Sequence, residues 1–249
     1  TNALVYGGRL RCGSAQVASG CIKLHANGIG NDSNDSHANI PLWLSRVLAP
    51  SCCVIFCDTD ALAARELRVD GLVKNTAEAV LAARIVDALY RAGVADVGVL
   101  TPYRQQVREL RRACRPDIEV MTADQAQGRD WSVVVVSFVR SNADHMGGEL
   151  LRDVRRLNVL LTRAKHKLVM LGSASTWSGA APGEAPMQRL LGVLSARHAL
   201  TALPSDALDG CRSGAVGTHV SPTKQRHVKT ARVEKTRPVL AEVLNEADV

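Results

Sequence analysis

"WSVVVVSFVRSN", residues 131–142, sets four consecutive valines ahead of an arginine and an asparagine. Valine's branched Cβ suits a pleated strand, and an unbroken apolar run leaves no face for water. Such a strand must be covered on both sides, which is the condition of a parallel sheet wrapped by helices. The pattern repeats outward in "DVGVLT" (96–101), "IEVMT" (118–122), "HKLVMLG" (166–172) and "CCVIFCD" (52–58). Helical stretches alternate with these strands. In "NTAEAVLAARIVDALYRAG" (75–93), Asn75 is placed to cap, Glu78 follows three residues later, and Gly93 closes the end. Pro102 opens "YRQQVRELRRAC" (103–114), and "DVRRLNVLLTRA" (153–164) and "PMQRLLGVLSARH" (186–198) complete the set. The fold class that follows is α/β, a parallel sheet with helices on both faces, over residues 50–200.

Residues 1–49 read as a lead-in segment carrying a polar insertion, "ANGIGNDSNDSHAN", at 26–39. From 201 to 249 periodicity is lost, and the expectation is a low-complexity, disordered tail. Its "SPTKQRHVKTARVEKTR" (221–237) suits a plain solvated tail first, and beside that a nucleic-acid contact or an import signal. A net charge of +7 suits a partner with phosphates, or only a solvated basic surface. Aromatic residues are 3% of the chain, too few for an extended base-stacking platform.

The seven cysteines lack metal-ligand spacing. "CCVIFC" (52–57) reads as a strand with buried thiols in a reducing compartment, so no metal site is expected. There is no apolar run of about 18 residues to span a membrane, and no signal peptide. The chain starts at Thr1 without a methionine, in what reads as the middle of a fold, so a fragment of something longer is expected. A phosphate-cradling G-x-x-x-x-G-K-[ST] loop is absent from the sequence, as are a His-Glu metal signature and an evident carboxylate pair.

Polar and cationic groups follow the apolar strands in "TPYRQQ" (101–106), "TADQAQGRD" (122–130) and "SFVRSN" (137–142). Together with "RRLNVLLTRAKHKLVMLG" (155–172) they are expected near one rim of the sheet, where parallel α/β folds bind ligands. In this order the segments resemble the second motor domain of superfamily I helicases. Within that superfamily they are most similar to the DNA replication ATP-dependent helicase/nuclease family. The opening "NALVYGGRLRCGSAQVA" (2–18) resembles the segment after that family's Gln-Tyr-Arg-Met motif. The likeness spans roughly 1–198 apart from the insertion.

The resemblance implies a RecA-like domain, the trailing half (domain 2A) of a motor. It makes Arg163 the arginine finger that reaches the γ-phosphate of ATP, the one catalytic residue of this chain. A guanidinium meets phosphate oxygens with a planar fork, and such fingers are worth about 10³–10⁵ in rate. Gln127, Gly128, Arg129 and Asp130 are implied to bind ATP, with the Asp130 carboxylate on the ribose. Thr101, Tyr103, Arg104, Thr122, Arg140 and Asn142 are implied nucleic-acid contacts.

Other readings stay open beside these. Thr122 either touches the nucleic-acid backbone or only ends its strand, and Tyr103 either stacks on a base or packs at a helix start. Arg155 and Arg156 are structural anchors pairing with acids such as Glu149 or Asp153. His166 is a packed histidine or a proton donor. Two positions depart from the family pattern: Ala126 stands where an aromatic is usual, and Leu160 where alanine is.

The implied cofactor is ATP with Mg²⁺, shared with an upstream RecA-like domain of the same protein. An iron–sulfur cluster is implied only in a nuclease domain outside this chain. The implied partners are single-stranded DNA and a single-strand-binding protein, with no membrane, in the nucleus or the mitochondrion. The family trims Okazaki-fragment flaps, resects DNA ends and moves five-prime to three-prime; the fragment alone is expected not to hydrolyse ATP. The alternatives are a superfamily I RNA helicase of the decay or termination kind, and a motor-dead domain that only binds nucleic acid.

Overall fold

The computed structural model describes residues 22, 40–62, 64–148, 152–179 and 185–209. The 26–39 insertion, nearly all of the lead-in before it, and residues 210–249 lie outside the described residues. In chain order, α1 (Leu42–Leu48) leads into β1 (Val54–Asp58). A hairpin of β2 (Leu67–Val69) and β3 (Leu72–Lys74) precedes α2 (Thr76–Arg91). Then come β4 (Val97–Thr101), α3 (Arg104–Ala113), β5 (Glu119–Thr122) and β6 (Trp131–Ser137). The chain continues through α4 (Val154–Leu161), β7 (Ala164–Gly172), α5 (Ala174–Ser178), α6 (Ala185–Ala196) and β8 (Leu200–Ala202).

Six strands form one sheet in the order β5-β4-β6-β7-β1-β8, and every neighbouring pair is parallel. The valine run of β6 divides between the two faces, as a strand's period of two requires. Val133 and Val135 join Leu44 and Val47 of α1, Leu81, Ile85 and Leu89 of α2, and Leu110 of α3. Val134 and Val136 meet Leu157 and Leu160 of α4, Trp177 of α5, and Leu190 and Leu194 of α6. β1 divides the same way, Ile55 and Cys57 to the first face, Val54 and Phe56 to the second. Each aliphatic side chain so buried contributes about 1.5–3 kcal/mol of transfer free energy. This is the RecA-like α/β arrangement that the alternation of strands and helices indicates.

Several details depart from the sequence reading. Thr201 and Ala202, assigned to the tail, belong to β8 and pair with Cys57 and Asp58 of β1. Although aromatic residues are only 3% of the chain, the core has an aromatic chain, Phe56–Phe138–Trp177, with ring centroids 6.2 Å apart at both steps. The helix expected over 153–164 stops at Leu161, and Arg163 lies in the link to β7 rather than on the helix. Gly98 is a close-approach glycine: a Cβ there would lie 2.5 Å from the Trp131 ring.

The carboxyl ends of β4 and β6 meet where the chain order reverses, since β4 connects outward to β5 and β6 to β7. A buried polar cluster fills that crevice. Asn75 caps α2 by accepting from Glu78 N at 3.1 Å, and Gln106 of α3 accepts from Asn75 N and donates to Asn75 O, each at 2.8 Å. Gln106 also donates to Ser137 Oγ at 3.0 Å. The fully buried Glu78 carboxylate accepts from Ser137 Oγ at 2.6 Å and Val139 N at 2.9 Å. Val139 has φ +72, a conformation worth about 1–3 kcal/mol of strain in a β-branched residue, and the bond from its N–H helps hold it.

Burial pushes the Glu78 carboxyl up to about 8, against hydrogen bonds from Ser137 and Val139 that lower it. An acid with a higher pKa in the folded chain binds more protons there than when unfolded. The contribution of Glu78 to stability is therefore fully present below the unfolded value of 4.5 and declines as pH rises toward about 8. Thermal unfolding from about pH 5 to pH 9 should show a falling melting temperature, and Glu78→Gln should flatten that slope. Parallel profiles for the two proteins would show that Glu78 does not carry it.

Candidate functional site

The polar segments expected on one rim occupy two. Thr101, Thr122 and Arg140 end or follow β4, β5 and β6, at the carboxyl rim. The "QGRD" segment has by then crossed the sheet to the amino rim, because Trp131 opens β6 beside Ala164, the first residue of β7. Arg163 stands there too, its carbonyl accepting from Trp131 N at 3.0 Å.

At the amino rim the Arg163 guanidinium is oriented by four acceptors. Nε donates to Val159 O at 3.2 Å, and Nη2 donates to Thr162 Oγ1 at 2.8 Å. Nη1 donates to Arg129 O at 3.2 Å and to Asp130 Oδ1 at 3.1 Å. The side chain keeps 20% of its surface exposed, and that of Asp130 37%. The two residues assigned by resemblance to γ-phosphate and ribose are thus an ion pair with each other. Gly128 turns the loop at φ +83, with open space where a Cβ would stand. Gln127 is exposed, and Arg129 pairs with Glu119, which also accepts from Trp131 Nε1 at 2.8 Å. Ala126 is fully buried, so the departure from an aromatic fills the interior of this loop rather than its surface. His166 lies within β7, half-buried.

At the carboxyl rim a groove of about 370 Å³ runs between the hairpin tip and the start of α3. Arg104, Thr122 and Arg156 line it. A second groove of about 260 Å³ shares Arg104 and Thr122 and adds Arg108 and Arg111. Arg156 pairs with Asp124 at 3.2 Å, not with Asp153. Arg155 is exposed, and its backbone N–H donates to the Asp153 cap at 2.9 Å. Glu149, the other acid considered for these arginines, lies outside the described residues. The two arginines are therefore not equivalent anchors.

Other predicted contacts point inward. Thr101 is fully buried, and its hydroxyl accepts from Tyr103 N at 3.4 Å. Tyr103 is 9% exposed, and its hydroxyl donates to Gly147 O at 3.3 Å, the packed alternative of its two readings. Arg140 Nε donates to Glu66 Oε2 at 2.7 Å, in a pair whose side chains are 6% and 4% exposed. The same oxygen accepts from Ser141 N at 3.0 Å and Asn142 Nδ2 at 3.0 Å. Burial raises the Glu66 pKa, but Arg140, Asn142 and Arg68 more than offset it and hold the carboxylate ionised. Arg140 and Asn142 accordingly fix the chain after β6, Arg140 buried and Asn142 half-buried.

Sequence reasoning missed Glu66, because a lone acid in "AARELRVDG" (63–71) carries no spacing signal. It also missed the hairpin, for which a signal existed. "DG" between "LRV" and "LVK" is a two-residue turn sequence, and Asp70 and Gly71 take φ +51 and +76. No group of three or more His, Cys, Asp or Glu side chains placed to hold a metal occurs among the described residues. No described helix is long and apolar enough to cross a membrane. Among the described cysteines, Cys52, Cys57 and Cys114 form no disulfide, and burial pushes Cys57 and Cys114 up to about 12.

Removing one partner of a buried ion pair leaves the other uncompensated, at about 3–5 kcal/mol. Glu66→Ala should destabilise the chain by about that much in denaturant unfolding, whereas Arg68→Ala, on the exposed side of the same carboxylate, should cost under about 1 kcal/mol. Equal effects would show that the pair with Arg140 is not what holds this segment.

Comparison with known proteins agrees with the motif order. Residues 1–175 match the AAA domain family. The chain is 41% identical over 219 residues to the DNA replication ATP-dependent helicase/nuclease DNA2 of Mus musculus, covering 82% of this chain and 20% of that protein. The Homo sapiens protein of the same name is 39% identical over 213 residues, covering 82% and 20%. That of Saccharomyces cerevisiae is 34% identical over 215 residues, covering 84% and 14%. The chain thus spans a fifth or less of the length of these curated relatives. With the family's segments in order on a RecA-like sheet, the chain belongs to the AAA domain family and groups with the DNA replication ATP-dependent helicase/nucleases.

Proposed function

We propose that this chain is the C-terminal motor half of an ATP-dependent DNA helicase/nuclease acting in DNA replication and repair, including flap processing and end resection in the nucleus. The observation that carries the reading is the oriented, partly exposed guanidinium of Arg163 at the amino rim. A phosphate-binding loop is absent from this sequence, so the rest of the ATP site belongs to an upstream RecA-like domain of the complete protein. That domain would hold the Mg²⁺ of ATP, and the nuclease domain with its iron–sulfur cluster would also lie outside this chain.

The reading assigns the two rims different work. At the amino rim, closure on ATP exchanges the Arg163–Asp130 contact for one between Arg163 and the γ-phosphate, and Asp130 is released to accept from the ribose. Gln127, Gly128 and Arg129 shape that loop. Positive charge delivered where the transferring phosphoryl group spreads its own charge lowers the barrier, and preorganisation by Val159 and Thr162 limits the reorganisation required. At the carboxyl rim, Arg104, Thr122 and Arg156 meet the phosphates of single-stranded DNA. Thr101, Tyr103, Arg140 and Asn142 act behind them, as positioning residues. The helix α4 joins the rims, with Arg156 near its start and Arg163 beyond its end, about 10 Å apart along the axis at 1.5 Å per residue. Movement at one end is carried rigidly to the other.

In the complete protein, Arg163→Ala should lower ATP turnover at least about 10³-fold with ATP affinity nearly unchanged. Arg163→Lys should recover little, because a point charge lacks the fork. Near-normal turnover in Arg163→Ala would overturn the assignment. Single-stranded DNA should stimulate the ATPase of the complete protein more than RNA of equal length does; the opposite order would favour the RNA helicase reading.

A further inference from the structure

We propose that the β2–β3 hairpin is a base-contacting element, whose aliphatic face bears on the nucleobases of a single strand while the neighbouring arginines hold its phosphates. The inference rests on the reading of the carboxyl rim as a nucleic-acid track, and names the part of the strand that this element meets.

The hairpin pairs Leu67 with Lys74, Arg68 with Val73 and Val69 with Leu72. Opposed residues of an antiparallel pair share a face, so Leu67, Val69 and Leu72 lie together on one side, with Lys74 at its base. They are 49%, 55% and 49% exposed. A two-stranded ribbon is marginal by itself, and half-exposed aliphatic residues on it gain nothing for the fold. The ribbon is nevertheless firmly seated. Glu66, just before β2, is locked to Arg140; Lys74 pairs with Glu109 of α3 at 3.1 Å; and Asn75, just after β3, caps α2. The hairpin is thus a rigid projection with an apolar face and no core beneath it.

Its location selects the occupant. Leu72 of that face, with Gly71 and with Val73 of the opposite face, forms one wall of the groove, whose other walls bring Arg104, Thr122 and the Arg156–Asp124 pair. An apolar wall facing a cationic one complements a ligand with flat, weakly polar faces on one side and negative charges on the other. A single strand has that form, whereas a duplex hides its base faces and offers only charge. Aliphatic side chains serve as such wedges and platforms in other nucleic-acid complexes. Tyr103 borders the first groove but is only 9% exposed, with its hydroxyl donated to Gly147 O, so the half-exposed aliphatic side chains of the hairpin offer more surface to a base.

The test uses the complete protein and two oligonucleotides of one length, one carrying bases throughout and one abasic over the bound stretch. Replacing Leu67, Val69 and Leu72 together by serine, and Leu72→Ser singly as a milder variant, should weaken binding of the base-bearing strand. The loss expected for the triple variant is about tenfold, with an unchanged slope of log Kd against log salt. The abasic strand should bind the wild type more weakly, and bind wild type and variants alike. Unchanged affinity of both variants for the base-bearing strand overturns the inference. So does an equal loss on both strands, which would mean that the hairpin bears on the sugar-phosphate backbone or supports the fold rather than meeting the bases. Replacing Arg104 and Arg156 together by alanine separates this from the underlying reading. If that variant lowers affinity and flattens the salt slope while the hairpin variants do nothing, the rim remains a track and only the hairpin's role falls. If it too changes nothing, the rim reading falls with it.

Discussion

A carboxyl group with no exposed surface, Glu78, sits where α2 begins and β6 ends, and the carboxyl rim is arranged around it. Burying that group is costly unless its oxygens are occupied. Here Ser137 and Val139 supply hydrogen bonds, and Asn75 and Gln106 tie the same point to the starts of α2 and α3. The arrangement sets the direction in which the chain leaves β6, with Val139 at positive φ. Glu66 then receives Arg140, Ser141 and Asn142 in succession. Two acids separated by eleven residues therefore hold one short segment from opposite sides. The hairpin between them projects over the rim because both of its ends are fastened there.

The sheet sets a second constraint by separating the polar residues into two groups. Both of its faces are sealed by helices, so the ends of strands are where functional side chains reach solvent. The loop from Thr122 to Trp131 runs from one end to the other and carries Thr122 on one rim and Asp130 on the other. The helix α4 makes the same passage and separates Arg156 from Arg163. The residues of the proposed nucleotide and nucleic-acid sites thus lie at opposite ends of one sheet, joined by that loop and by α4.

Much of the fold was legible. The valine run of β6 indicated a sheet covered on both faces, and Asn75, Glu78 and Gly93 marked the bounds of α2, because caps and apolar periodicity are local properties. The candidate site was legible as a set of segments and less so as an arrangement. Arg163 and Asp130 are 33 residues apart, and nothing in either stretch says that one will bond the other. Arg140 looked like a phosphate ligand because a cation after an apolar strand has that appearance; its partner Glu66 lies 74 residues away, in a stretch without a signal. β8 escaped notice because three residues are too few for periodicity, and only pairing with β1 makes them a strand.

By itself the sequence determined the class of fold, the order of its strands and helices along the chain, and the family to which the ordered motifs belong. These depend on side-chain volume, hydrophobic period and short-range capping, all read within a few residues. Only the tertiary structure decided that the polar segments divide between two rims, that Arg163 rests against Asp130, and that Arg140 is an internal tie rather than a surface contact. Those outcomes depend on which strand lies beside which, and on where a buried charge finds its counter-charge. Both are set by long-range pairing, which leaves no trace in local spacing.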